Sequence, residues 1–205
     1  MADRHLALAK LDPLMGELIE RHGKLSLEGR RRGPRPEPFG ALITIVSAQQ
    51  VSSSAAAAID RRIEEAFGGR LPTAAQAVRG GKKLRAAGLS GRTVECLPWL
   101  ARTVQSGELD LDDLESRSDA EVIARLTEVR GFGPWSAEMF LISYLERPDV
   151  LSGGDLGIRR GIQVALALEE APSPDEAVEI GERWRPQRTL ASFYLWRAAS
   201  TASPT

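Results

Sequence analysis

The run Val129-Arg130-Gly131-Phe132-Gly133-Pro134-Trp135-Ser136-Ala137 and the acid Asp155 downstream are the residues whose types and spacing could do chemistry. Gly131 and Gly133 can both take positive φ and let the backbone approach another molecule with no Cβ in the way. Pro134 suits the first turn of a helix. A helix starting there presents unpaired N–H groups and the positive end of its dipole, a fitting seat for a phosphate. A fixed carboxylate beside such a grip can lower the barrier of a reaction that builds positive charge. Taken alone, a Gly-x-Gly turn is equally an ordinary connection between two helices, and an aspartate before a helix is routinely its N-cap.

The elements that must hold these residues read as helices throughout. Ser118-x-x-Glu121 is a capping box, and Val122, Ile123, Leu126 and Val129 follow at helical spacing up to the turn. Past the turn, Met139, Phe140, Ile142 and Leu145 make an apolar second helix, which Pro148 is expected to end. Asp12-Pro13 starts a helix that Gly23 closes, and another is expected from about Pro38, burying Phe39, Leu42, Ile43 and Val46. Ser52 caps a helix running to Gly68-Gly69, Thr73-x-x-Gln76 starts a short one, and Ser90 a longer one disturbed at Pro98. Ser152-Gly153-Gly154 delivers Asp155 to a helix carrying Ile158, Ile162, Ala165 and Leu166. Ser173-Pro174-Asp175-Glu176 starts the next, and Pro186 divides it from a last helix with Leu190, Phe193 and Trp196. Residues 29–38 are rich in arginine and proline and read as a connector. No segment alternates like a strand, so the fold class is all-α.

Composition narrows the chemistry. At 205 residues the chain can bury a core without disulfides or metal. Cys96 is the only cysteine, which rules out an internal disulfide and any four-cysteine zinc or iron–sulfur site. The two histidines, His5 and His22, both lie near the N-terminus and read as surface imidazoles, against a histidine triad or metal cluster. No apolar run is long enough to span a membrane, and the N-terminus lacks a secretory layout, so a cytoplasmic protein is expected. The net charge of −1 argues against a nonspecific nucleic-acid coat. The arginines at 30–32 and 35, at 159–160, and at 183, 185 and 188 each read as solvated surface when taken alone.

Together these motifs resemble the helix-hairpin-helix superfamily of DNA glycosylases, most closely the 3-methyladenine DNA glycosylase II type. The resemblance runs from about Pro38 to Arg197, through Pro38-Phe39, Ser47-Ala48-Gln49-Gln50-Val51-Ser52, the hairpin, Val150-Leu151-Ser152-Gly153-Gly154-Asp155 and Glu182-Arg183-Trp184-Arg185-Pro186. It implies two helical lobes with an active-site cleft between them: about 1–46 with 151–205 in one, and about 47–150, with hairpin 130–134, in the other. It also implies that a damaged nucleotide is flipped out of double-stranded DNA into a pocket, because its base cannot be reached within the duplex. By the same resemblance Gln50 is the wedge that fills the gap. Arg130, Gly131, Phe132, Gly133 and Ser136 hold DNA backbone, and Trp135, Trp196, Met139 and Phe39 line the base pocket. Trp99 and Trp184 read as core or support.

Asp155 matches the family's catalytic aspartate, which stabilises an oxocarbenium-like sugar and helps orient the attacking water. N3- or N7-alkylated purines already carry positive charge, so no strong general acid is needed, and stacking on an indole face adds about 0.5–2 kcal/mol. Trp135 stands where bifunctional relatives carry the lysine that forms a Schiff base, which implies no strand cleavage by that route. The resemblance implies no required cofactor, a monovalent cation at the hairpin carbonyls, a monomer, and the glycosylase core without the additional N-terminal β-containing domain of larger relatives. Ala48, Met139 and Gln187 depart from residues common among relatives, so the breadth of accepted bases stays open. Two other readings remain beside this one: a noncatalytic lesion-binding module, and a glycosylase for deaminated or oxidised bases.

Overall fold

The computed structural model describes residues 3–26, 36–49 and 51–202, with Ser53 and Arg92 described by backbone alone. Gln50 and the arginines at 30–32 and 35 lie outside the described residues. Among the described residues the regular elements are α-helices and short 3-10 turns, with no strand. In chain order the helices are α1 (Arg4–Leu11), α2 (Pro13–His22), α3 (Pro38–Ser47), α4 (Ser53–Ala66), α5 (Ala74–Arg79) and α6 (Gly81–Ala86). They continue as α7 (Gly91–Gln105), α8 (Asp119–Thr127), α9 (Pro134–Ser143), α10 (Leu156–Ala165), α11 (Pro174–Gly181) and α12 (Arg188–Ala202).

Side-chain caps explain most of the starts. Asp12 accepts from the Leu14 N–H before α2, Ser52 from Ala55 before α4, Ser90 from Thr93 before α7 and Asp155 from Ile158 before α10. Complete capping boxes open α5 (Thr73 with Gln76), α8 (Ser118 with Glu121) and α11 (Ser173 with Glu176). Each satisfies backbone donors that would otherwise be orphaned at the helix end.

Three local expectations change. Helix α7 runs unbroken through Pro98, because Leu97, Leu100 and Ala101 beside it are fully buried against neighbouring helices. That burial, about 1.5–3 kcal/mol for each leucine, offsets the roughly 3 kcal/mol that a proline inside a helix costs. Helix α9 stops at Ser143, ahead of Pro148, and the chain turns through Glu146 at φ +55°. Helices α1 and α6 are not among the elements expected from the sequence.

The chain forms two compact units, Met1–Gly33 with Glu146–Thr205, and Pro34–Leu145. The first and last segments thus share a unit, but α3 groups with the middle of the chain instead of with the ends. The physical reason is its nearly all-round burial, from Phe39 to Ser47, against α4, α7 and α9. In the first unit Leu8, Met15 and Leu18 form a core with Trp184, Leu190, Tyr194 and Leu195. Tyr194 donates its hydroxyl to the Gly23 carbonyl (2.9 Å), and the fully buried Trp184 donates its indole N–H to Asp12 (2.8 Å). In the second unit Leu42, Ile43, Ile63, Leu84, Leu97, Leu126 and Phe140 are buried together. Among the described residues no helix is long and apolar enough to cross a membrane.

Candidate active site

Asp155 is the N-cap of α10, and its Oδ1 takes two N–H groups at once. The Ile158 backbone N–H donates at 2.8 Å and the Trp196 indole Nε1–H donates at 2.8 Å. Trp196 is half-buried on α12 and its ring is stacked with Phe193, centroids 6.1 Å apart. The two predicted site residues of this unit are therefore in direct contact. The capping and functional readings of Asp155 are also compatible: the cap fixes the carboxylate's position and orientation.

Two glycines make the contact possible. A Cβ on Gly161 would lie 2.2 Å from the Leu195 carbonyl oxygen, so only glycine lets α10 and α12 cross this closely. One turn earlier, a Cβ on Gly157 would stand 2.9 Å from Trp196 Cδ1 and 3.0 Å from Asp155 Oδ1. The Gly157-x-x-x-Gly161 spacing places both on one helix face. The sequence reading passed over this pair, although that spacing was its visible signal.

The loop ahead of Asp155 is pinned along its length. Thr189 Oγ1 accepts the Val150 N–H (3.0 Å) and donates to the Arg147 carbonyl (2.6 Å). Arg188 donates to the Asp149 carboxylate (2.8 Å) and to the Asp149 carbonyl (2.7 Å), and Arg185 donates to the same carboxylate (2.8 Å). A Cβ on Gly153 would meet the Pro174 carbonyl at 2.5 Å, so this buried bend also requires glycine. Arg185 and Arg188, read from sequence as solvated surface, are instead ion-paired braces, because Asp149 and Glu182 lie within reach. Arg159 similarly donates to the Pro172 carbonyl (2.6 Å).

The second unit holds the hairpin together with Phe39, Trp135 and Met139. Gly131 has φ +90°, and a Cβ there would lie 2.7 Å from Cys96 Sγ. Gly133 departs from expectation: its φ is −112°, and nothing lies within 4 Å of where its Cβ would be. Its freedom from a side chain leaves open space in front of the turn. Cys96 Sγ–H donates to the Arg130 carbonyl (2.6 Å), and Gln49 Nε2–H donates to the Gly131 carbonyl (3.0 Å) and to Ser136 Oγ (2.9 Å). Burial pushes the Cys96 thiol up, partly opposed by the Arg130 charge, which keeps it in the protonated form that donates. Cys96 and Gln49 are thus supports of the hairpin.

These bonds sort the five residues expected to hold DNA backbone. The Phe132 side chain is buried and its N–H is taken by the Val129 carbonyl (2.9 Å), so Phe132 anchors the turn rather than offering a donor. Ser136 is buried, with its N–H on the Gly133 carbonyl (3.0 Å) and its hydroxyl engaged by Gln49. Among the described residues the N–H groups of Gly131 and Gly133 take no protein acceptor, and the Arg130 side chain is exposed. Trp135 and Met139, four residues apart on α9, are half-exposed, whereas Phe39 is buried on α3. Of the other tryptophans, Trp184 is support as expected, but Trp99 is exposed. His5 is not a plain surface imidazole: it is partly buried, with Nε2 2.9 Å from the Leu25 carbonyl. Burial lowers the pKa of His22.

No protein-family model matches the chain. It is 35% identical over 175 residues to DNA-3-methyladenine glycosylase 1 of Schizosaccharomyces pombe, covering 83% of this chain and 76% of that protein. The chain belongs to the DNA-3-methyladenine glycosylases. The fold agrees with solved members of that family. It superposes on the S. pombe 3-methyladenine DNA glycosylase Mag1, solved in complex with abasic DNA, with a TM-score of 0.88 at 31% identity over 98% of each chain. It matches the Bacillus halodurans DNA-3-methyladenine glycosidase with a TM-score of 0.78 at 35% identity, over 98% of this chain and 90% of that one. Within this glycosylase family the doubly bonded carboxylate of Asp155 and the turn at Gly131–Gly133 are the features best suited to chemistry and to anion binding.

Proposed function

We propose that this protein is a monofunctional DNA glycosylase of the 3-methyladenine II type, releasing N3- and N7-alkylated purines from double-stranded DNA in base excision repair. The observation that carries the reading is the Asp155 carboxylate, held by the Ile158 N–H and the Trp196 indole in a chain of this family. An N-glycosidic bond breaks with positive charge accumulating on the sugar, and a carboxylate already oriented stabilises that charge without reorganising at the moment of reaction. An alkylated purine leaves as a neutral base, so one carboxylate is sufficient. Water then adds to the sugar, the Asp155 carboxylate accepts or directs its proton, and an abasic site remains.

The nucleotide is flipped out of the duplex, with Gln50 as the wedge, and the half-exposed Trp135, Met139 and Trp196 offer apolar faces to the extruded base. The Gly131 and Gly133 N–H groups hold a phosphate. The residues present also fit a monovalent cation at the hairpin: the Thr127 and Phe132 carbonyl oxygens accept no protein donor among the described residues. Such a cation would add positive charge beside the phosphate. Trp135 in place of a lysine supports hydrolysis without strand cleavage. The enzyme acts as a monomer on chromosomal DNA in the cytoplasm.

The test is incubation with methylated duplex DNA followed by chromatography of the released bases. Free 3-methyladenine and 7-methylguanine are expected, with loss of release in Asp155→Asn. Absence of free alkylbase from the wild type, or full activity of Asp155→Asn, refutes the reading.

A further inference from the structure

Between Ala66 and Val94 the chain carries six cations, Arg70, Arg79, Lys82, Lys83, Arg85 and Arg92, and no aspartate or glutamate. The protein as a whole has 28 acids against 27 Lys and Arg, so this stretch is a sharp departure. Arg70, Arg79, Lys82, Lys83 and Arg85 are exposed, and none of them is ion-paired among the described residues. Arg117, Arg185 and Arg188, by contrast, are all paired. Arg79, Lys82 and Lys83 border an open groove of about 420 Å³ whose floor includes Phe67 and Gln76. Lys83 Nζ donates to the Ala66 carbonyl (3.0 Å) and lies 5.2 Å from the centre of the Phe67 ring.

Helix α7 gives this charge a direction. Its first four residues, 91–94, end the acid-free stretch, and α5 and α6 pack along it. Beyond its last residue, Gln105, come Glu108, Asp110, Asp112, Asp113 and Glu115. Fifteen residues at 1.5 Å each separate the two ends by about 22 Å. Cys96, which holds the hairpin through the Arg130 carbonyl, lies roughly 8 Å along the axis from Gly91 and roughly 14 Å from Gln105. The hairpin is therefore braced from the half of α7 nearer the acid-free stretch.

We propose that the surface formed by Arg79, Lys82 and Lys83, with Arg70 and Arg85 near them in sequence, binds phosphates of the duplex flanking the lesion, while the acidic segment beyond α7 repels DNA and so orients it. This rests on the glycosylase reading above. Exposed cations that hold no ion pair release condensed counterions when they meet a phosphate backbone, whereas already-paired cations gain little. One helical frame carries both the hairpin and the cations, so a duplex gripped at the first is held on the second.

The test uses the triple variant Arg79→Gln, Lys82→Gln, Lys83→Gln and two duplexes, of about 12 and about 30 base pairs, each with a central abasic-site analogue, titrated over a range of salt. On the long duplex the slope of log affinity against log salt is expected to shrink by about 2–3, with a loss of affinity of at least about tenfold near physiological salt. The effect should be smaller on the short duplex. An equal loss of charge at exposed positions of the other unit, Arg4→Gln, Lys10→Gln, Arg21→Gln, should leave the slope nearly unchanged. An unchanged slope in the first variant, or an equal fall in the second, overturns the proposal. If the wild type excises no alkylbase from either duplex, it is the glycosylase reading that fails.

Discussion

Replacing Trp196 by phenylalanine removes the indole N–H that reaches Asp155 Oδ1 at 2.8 Å while leaving an aromatic ring to stack with Phe193. A hydrogen bond to an ionised acceptor contributes about 1.5–3 kcal/mol, and each 1.36 kcal/mol is a factor of about ten in rate. The Ile158 N–H remains, so the carboxylate keeps its cap but loses the restraint that fixes its second direction. The single-turnover excision rate on methylated duplex should therefore fall by about tenfold to a hundredfold, with little change in affinity for an abasic-site duplex. Trp196→Ala, which also removes the ring, should weaken affinity as well. In an Asp155→Asn background Trp196→Phe should add little further loss, because the two groups act as a unit. Gly157→Ala should imitate Trp196→Phe, since its new methyl would stand 2.9 Å from the indole and 3.0 Å from the carboxylate oxygen. A Trp196→Phe enzyme with the wild-type rate, or a rate loss that adds in full to Asp155→Asn, would refute the idea that the indole positions the acid.

The two hairpin glycines should behave differently. Gly131→Ala forces a side chain into φ +90° and to within 2.7 Å of Cys96 Sγ, so calorimetry should find a melting temperature several degrees lower, for a cost of about 1–3 kcal/mol. Gly133→Ala meets nothing within 4 Å and should leave stability intact while weakening abasic-duplex binding, and unaltered binding would contradict the phosphate seat. The raised Cys96 pKa means that the fold favours the neutral thiol. Its contribution is fully present below the ordinary thiol pKa of about 8.5 and is lost as pH rises through the higher folded value, so urea titrations should show wild type losing stability relative to Cys96→Ala at alkaline pH. Borohydride added during turnover should trap no covalent protein–DNA adduct, because Trp135 offers no amine; a trapped adduct would exclude simple hydrolysis.

The sequence alone determined much of what is local. The starts of α2, α4, α5, α7, α8, α10 and α11 were legible because each cap acts across two or three residues, and no longer-range partner is needed to satisfy it. The hairpin and Asp155 stood out for the same reason, and the absence of strand-like alternation sufficed for the fold class. The run of cations from Arg70 to Arg92 lies in the sequence itself, yet only the exposure of Arg70, Arg79, Lys82, Lys83 and Arg85, with no ion pair among the described residues, makes it a surface.

Tertiary structure decided the rest. Trp196 and Asp155 are 41 residues apart, Cys96 and Arg130 are 34 apart, and Gln49 and Ser136 are 87 apart. Helical periodicity tells which face of a helix is apolar but not which other helix will cover it. That choice was made where two backbones could approach, at Gly157 and Gly161 against Leu195 and Trp196. It was also made where burial outweighed a local penalty, as at Pro98 in α7 and in the grouping of α3 with the middle of the chain. Close packing between segments distant in sequence thus turned an ordinary helix cap into an oriented carboxylate, and a lone cysteine into the brace of the hairpin turn.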